Sequence, residues 1–397
     1  MNRLGLYVQV PFCQTKCTYC NFHTGVFSKD LYEPYVRAVC REIVQHPRLL
    51  AENGIAAMPE AVVDTVYFGG GTPSLLEPAS LGQIVGAIRD SFSTQFEEVT
   101  LEADPETISP EKAAAWREAG LSRISMGVQS FDDGELRAAG RMHRRKDVFQ
   151  ATEALRAAGL RNISFDLIAG LPHQTDRSWE ASVEQLLRLR PEHVSVYMME
   201  IDEGSRLGLE VLQGGERYSA KALPTDDAMA SFYEHACRRL ADAGYVHYEI
   251  SNWAQPGFES RHNLKYWRRE PYFGFGAGAH SFTGAGSTWS PPEWRSQRWA
   301  NAHDPASYAD AVLQGRFPVE QFKSVTSGQA LEEELFLGLR QLAGIDLGSI
   351  EAKYGSQLRP RVEELVAQGL VEWDGPRLRL SPDRLTVSNE VFVQLLG

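Results

Sequence analysis

Apolar helical stretches alternate with β-branched runs along the first 250 residues. An Ala-rich amphipathic segment ends in Ala-Gly followed by Leu or Tyr, and a β-branched run begins shortly afterwards. The phrase occurs at Ala119-Gly120-Leu121 before residues 123–128, and at Ala158-Gly159-Leu160 before residues 163–168. A third copy, Ala243-Gly244-Tyr245, precedes residues 246–250. In the second copy Val148, Ala151, Leu155 and Ala158 share one helical face, and Gly159 supplies a left-handed cap. Further strands are predicted at 5–10, 65–68, 99–103 and 193–199, with helices such as 35–45 and 179–189 between them. About six βα units result, which predicts an α/β fold built on a parallel sheet, in a partial or full barrel. Glu102, Gln129 and Asp166 close three successive predicted strands. In barrels of this kind the carboxyl ends of the strands carry the chemistry.

The pattern changes near residue 250. Gly, aromatic and His residues dominate from Asn252 to Trp299, which predicts irregular, site-building chain. Three helices are predicted at 331–342, 347–353 and 358–368, then a hairpin of 371–373 and 377–380 around Asp374-Gly375-Pro376. That order suggests a winged-helix-like α+β unit. The expected organisation is therefore a core over 1–250, a connecting segment over 251–325 and a C-terminal domain over 326–397. Residues 326–397 hold seven Lys or Arg against eleven Asp or Glu, so packing or protein docking suits this unit better than DNA.

Composition narrows the function. A chain of 397 residues with 43% hydrophobic and 23% charged residues is of ordinary globular type. No apolar run is long enough to span a bilayer and no secretory leader is evident, so a cytoplasmic protein is expected. The net charge of −12 speaks against a general nucleic-acid binder. Five cysteines are present, and three of them, Cys13, Cys17 and Cys20, form C-x3-C-x2-C just after the first predicted strand. Cys40 and Cys237 read as small buried hydrophobes. Three thiolates on one loop suit a [4Fe–4S] cluster with one iron left open. A zinc site with His23 as fourth ligand is the alternative.

The run V-P-F-C-Q-T-K-C-T-Y-C-N-F resembles the signature of the radical S-adenosylmethionine (SAM) superfamily. The resemblance implies that SAM chelates the open iron and is cleaved to a 5′-deoxyadenosyl radical when the cluster is reduced. It also implies that Gly69, Gly70 and Thr72, in Y-F-G-G-G-T-P-S, meet the methionyl group of SAM. Glu102, Gln129, Arg141 and Asp166 fall where such proteins contact SAM, with Arg141 suited to its carboxylate. Tyr7 and Tyr19 are expected to pack on the cofactor, with core packing the equal alternative.

Further phrases, L-E-A-D-P-E-T, G-V-Q-S-F, F-D-L-I-A-G-L-P and F-G-F-G-A-G-A-H-S, resemble one branch of that superfamily. It contains the oxygen-independent coproporphyrinogen dehydrogenases and the HemW-type heme chaperones. The dehydrogenase pattern has a fourth cysteine two residues after the third, where this chain has Phe22, and a longer segment before the cluster. His262-Asn263-Leu264-Lys265-Tyr266-Trp267 is similar to the H-N-x-x-Y-W motif associated with heme in the chaperones. His262 is thus the candidate heme residue, Tyr266 and Trp267 offer flat faces to the macrocycle, and His280 is a weaker second ligand. The resemblance implies a heme chaperone delivering heme to an apo-heme acceptor of respiration, with coproporphyrinogen III decarboxylation as the alternative. An electron donor such as flavodoxin or ferredoxin, a homodimer and peripheral membrane contact are left open.

Overall fold

The computed structural model describes residues 2–52, 61–284 and 296–396. Six parallel strands form its centre: β1 (Asn2–Val10), β2 (Ala61–Gly70), β3 (Ser93–Ala103), β4 (Arg123–Gln129), β5 (Asn162–Ala169) and β6 (His193–Met198). Successive side chains on a strand point to opposite faces, and here the faces differ in chemistry. Leu6, Val8, Val66, Phe68, Val99, Leu101, Ile124, Met126, Ile163, Phe165, Val194 and Val196 are all buried in the main core. The opposite face is polar, carrying Tyr7, Tyr67, Thr100, Glu102, Ser125, Ser164, Asp166 and Ser195. Register aligns these residues across the sheet, Tyr7 beside Tyr67, Tyr67 beside Thr100, Glu102 beside Ser125 and Asp166 beside Ser195.

The six-unit α/β expectation holds, and the Ala-Gly punctuation works as read. The helix Arg145–Ala157 caps at Ala158, and Gly159 follows with φ +80°, a conformation that costs glycine little. The third copy departs from the pattern. It leads into β7 (Val246–Glu249), which pairs antiparallel with β8 (Asn252–Ala254), itself antiparallel to β6.

Residues beyond 250 also continue the sheet where irregular chain was expected. β9 (Tyr272–Phe275) lies parallel to β1, and β10 (His280–Phe282), β11 (Gln297–Asn301) and β12 (Val319–Ser324) follow antiparallel. These strands are so short that their alternation is hard to read in the sequence. Part of the expected irregular stretch, 285–295, lies outside the described residues. Among the described residues the sheet has twelve strands and runs from β12 at one edge to β7 at the other, a partial barrel rather than a closed one.

The C-terminal part has the expected helices, Ser327–Gly338, Leu347–Tyr354 and Arg359–Ala367, and the expected hairpin of β14 (Val371–Trp373) and β15 (Arg377–Leu380). A two-residue strand, β13 (Ile345–Asp346), makes the sheet three-stranded, and a further helix follows at Ser388–Leu396. This unit is sewn to the barrel by Ile250 N–H donating to the Arg340 carbonyl (3.0 Å) and Leu342 N–H to the Tyr248 carbonyl (3.2 Å).

Candidate cofactor cavity

The three-cysteine loop follows β1 and is held at both ends. Cys13 N–H donates to the Gly25 carbonyl and Gly25 N–H to the Pro11 carbonyl, each at 2.9 Å. Its middle is anchored by Thr18 N–H to the Ala139 carbonyl (3.1 Å) and by Leu207 N–H to the Thr18 carbonyl (2.8 Å). Cys13, Cys17 and Cys20 all face a cavity of about 600 Å³. Its other walls are the carboxyl ends of the strands and the segments that follow them, with Gly70, Thr72, Glu102, Gln129, Arg141 and Asp166, and Tyr19 from the loop itself.

Each wall is braced. Glu102 accepts from the Tyr67 hydroxyl (2.8 Å) and the Gly70 N–H (2.9 Å). Burial nevertheless pushes its carboxyl up to about 7, aided by the nearby Asp166 and Asp104. Asp166 accepts from the Ser125 hydroxyl at 3.2 Å, and burial raises its pKa too. Gln129 ends β4 with φ 63°, a conformation that strands avoid and that functional sites tolerate. Arg141 donates to the Gly127 carbonyl (2.8 Å), pairs with Asp104, and sets its other terminal nitrogen 3.5 Å from the Cys17 thiol. Sequence reasoning passed over Asp104, which also accepts from the Thr72 hydroxyl at 3.0 Å. Its signal was present in L-E-A-D-P-E-T, two residues past Glu102 and followed by the cavity-lining Glu106.

The residues suit a cluster with a small polar ligand beside it. A Cβ on Gly71 would stand 2.6 Å from the Phe12 carbonyl oxygen and 3.0 Å from the Cys13 sulfur, so only glycine allows this approach. Arg141 Nε is buried with no partner among the described residues, a polar atom that a bound group would satisfy. Among the described residues no three His, Cys, Asp or Glu side chains converge on a single-ion position. Thiolates around a cubane bind different irons and must spread around it. His23, weighed above as a zinc ligand, lies beside His303, with ring centroids 4.2 Å apart and planes tilted by 32°.

Five residues expected at the cofactors lie outside this cavity. Tyr7 sits one row nearer the strand starts, where its hydroxyl donates to Gln9 (2.7 Å) and its ring stacks on Tyr67. Gly69 serves its neighbours, since a Cβ there would meet Tyr67, Tyr7 and Glu102 within 3.1 Å. The heme motif accounts for the other three. His262 is 0% exposed on the helix Arg261–Trp267, whose first amides donate to Glu98. Its Nδ1 is 2.9 Å from the Thr65 hydroxyl and its Nε2 2.9 Å from the Tyr266 hydroxyl. Burial, with Lys265 nearby, lowers its pKa to about 3. Both ring nitrogens are thus engaged by hydroxyl groups in this structure. Lys265 is buried against Asp64 (2.9 Å) and Glu270 (3.2 Å), and Trp267 lies half-buried beneath the Arg340 guanidinium. The motif closes the sheet's inner face near the strand starts, behind Gly5 and Thr65, away from the cysteines.

Comparison with known proteins agrees with this geometry. Residues 7–186 match the Radical SAM superfamily model and residues 325–383 the HemN C-terminal domain model. The chain is 35% identical to the "Heme chaperone HemW" of Bacillus subtilis over 98% of both chains. It is 30% identical to that of Escherichia coli K12, over 92% of this chain and 91% of the other. A bovine mitochondrial "Radical S-adenosyl methionine domain-containing protein 1" is 32% identical over all of this chain and 88% of its own. In fold, the chain superposes with a TM-score of 0.80 on the E. coli coproporphyrinogen III oxidase HemN, at 21% identity, covering 99% of this chain and 90% of that one. Sequence likeness of this extent, on a partial barrel with three cysteines at its cavity, places the chain in the HemW family of the radical SAM superfamily.

Proposed function

We propose that this protein is a heme chaperone: it carries a [4Fe–4S] cluster and SAM in the cavity, binds heme, and delivers it to apo-heme proteins of respiration. The observation that carries this reading is Phe22, which stands where the dehydrogenase pattern has its fourth cysteine. It is 67% exposed on the cavity lining, which also carries the exposed Met142 and Ile201. An apolar rim of this kind suits a flat apolar macrocycle moving past the cluster loop better than it suits a further metal ligand.

Cys13, Cys17 and Cys20 would hold the cluster as thiolates, leaving one iron for SAM. Bound there, SAM and a reduced cluster supply radical chemistry. Glu102 and Asp166, fixed by Tyr67, Gly70 and Ser125, present carboxylates suited to ribose hydroxyls or an ammonium. Arg141, anchored by Asp104, places positive charge beside Cys17 and keeps Nε for a ligand acceptor. Flavodoxin or ferredoxin suits the reductant role, and a homodimer is compatible with the reading.

The second reading, coproporphyrinogen III decarboxylation, is favoured by the fold shared with HemN. Anaerobic reconstituted protein given SAM, reductant and coproporphyrinogen III, with heme titrated in parallel, separates the two. Heme binding with transfer to an apo-acceptor and no protoporphyrinogen is the expected result, whereas turnover to protoporphyrinogen overturns the proposal.

A further inference from the structure

We propose that the C-terminal domain latches the H-N-x-x-Y-W helix, with Arg269, Glu333 and Glu334 as positioning residues that govern when heme reaches the motif. This inference rests on the chaperone reading above. In the structure His262 is 0% exposed and both its nitrogens are engaged by hydroxyls, so a macrocycle reaches it only after the helix Arg261–Trp267 shifts. Two sets of contacts hold that helix in place. Barrel residues Thr65, Glu98 and Asp64 make the first. The C-terminal domain makes the second.

The second set converges on Arg269, just past the helix end. Its side chain is 2% exposed, with Nη2 3.0 Å from Glu333 and Nη1 3.7 Å from Glu334, both on the helix Ser327–Gly338. The Tyr354 hydroxyl accepts from Arg269 at 3.3 Å and donates to Glu334 at 2.6 Å. Arg298, from β11, reaches Glu333 at 3.1 Å, so one carboxylate serves two guanidiniums. The network joins the end of the motif helix, the sheet edge and the C-terminal domain.

Three observations point to a latch rather than to plain packing. First, Arg269 has φ 52° at a helix end, where such backbone normally belongs to glycine. A strained arginine persists where its surroundings require it, and its contacts here are with Glu333 and Glu334. Second, the domain's other contact with the helix is incomplete. The Arg340 guanidinium lies 4.7 Å above the Trp267 ring, yet Arg340 Nε and Trp267 Nε1 are both buried without a partner among the described residues. Unpaired buried donors disfavour this packing, which leaves the charged pairs at Arg269 to hold it shut. Third, Arg340 covers a flat indole face of the kind a macrocycle stacks on, so domain and heme compete for one surface. A ligand that binds only the released helix gains affinity when the latched state is weakened.

The test is an anaerobic hemin titration of the full-length, cluster-reconstituted protein, read by Soret absorbance, with hydrogen exchange followed by mass spectrometry. The double variant Glu333→Gln, Glu334→Gln keeps the side-chain shapes and removes both charges. It should bind hemin about fivefold tighter or more, with the wild-type Soret position and unchanged iron, sulfide and SAM binding. Glu351→Gln is the control, because the partners of that carboxylate, Arg359 and the Leu358 N–H, lie within its own domain. It should leave hemin affinity at the wild-type value. In the wild-type protein, which needs no variant to fold, hemin should speed exchange at 327–342, since the coupling is reciprocal. A double variant with wild-type or weaker affinity overturns the latch and leaves the chaperone reading standing. Equal tightening in Glu351→Gln does the same, as does hemin that leaves exchange at 327–342 unchanged or slower. Wild-type protein that binds no hemin removes both.

Discussion

His262→Ala separates a structural role for the H-N-x-x-Y-W motif from a heme-ligating one. The substitution orphans two buried hydroxyls, those of Thr65 and Tyr266, which now bond the imidazole at 2.9 Å each. An unsatisfied buried hydroxyl costs about 1–3 kcal/mol, and removal of a large buried ring adds about 3–5 kcal/mol where nothing refills the space. A water entering the polar hole would offset part of both terms, so a net loss of about 3–4 kcal/mol is expected. The measurement is urea unfolding of the heme-free protein, followed by tryptophan fluorescence and far-ultraviolet circular dichroism. Tyr266→Phe, which orphans only Nε2, should lose about 1–2 kcal/mol, and the double variant should show a coupling of about 1 kcal/mol between the two residues. An imidazole held free for iron would contribute almost nothing to the heme-free protein. A loss below about 1 kcal/mol in His262→Ala, together with loss of the heme spectrum, would therefore refute the structural account.

Other parts of the molecule yield separate tests. Gly71→Ala should cut the iron bound per chain well below wild type with unchanged far-ultraviolet circular dichroism, because its Cβ would collide with the Phe12 carbonyl and press on Cys13; full iron loading would show that the loop yields easily. Cys20→Ala should abolish the cluster's visible absorbance while leaving hemin binding within about twofold of wild type, since the H-N-x-x-Y-W motif packs behind Gly5 and Thr65, away from the cysteines. Glu42 is buried, accepts from Tyr308, Gly276 N–H and Asn301, and is pushed by burial up to about 7. Its raised folded-state pKa gives a stability contribution that is full below about 4.5, the unfolded carboxyl value, and is lost as pH rises through 7. Glu42→Gln should remove a pH dependence of up to about 1.4 kcal/mol per unit across that window, at the expense of one hydrogen bond to Asn301; denaturation midpoints that keep the same slope in both proteins would contradict the assignment.

The cysteine loop, the repeated αβ units and most of the cavity wall were legible in the sequence because they follow local rules. Thiolates spaced C-x3-C-x2-C must share a loop, and a glycine after an Ala-rich helix must cap it. Residues such as Glu102 and Asp166 reach one face because strand side chains alternate and the strands run parallel. What the sequence could not decide depended on distant segments meeting. The short strands beyond residue 250 exist because β1 and β6 offer open edges for pairing, which their own composition hardly signals. That the H-N-x-x-Y-W helix packs on Thr65, Glu98 and Asp64 is likewise absent from its own sequence. His23 and His303 share no motif at all, and only the folded chain brings their rings to 4.2 Å. Periodicity and spacing are written in neighbouring residues, but burial and convergence are set by which surfaces the folded chain brings into contact.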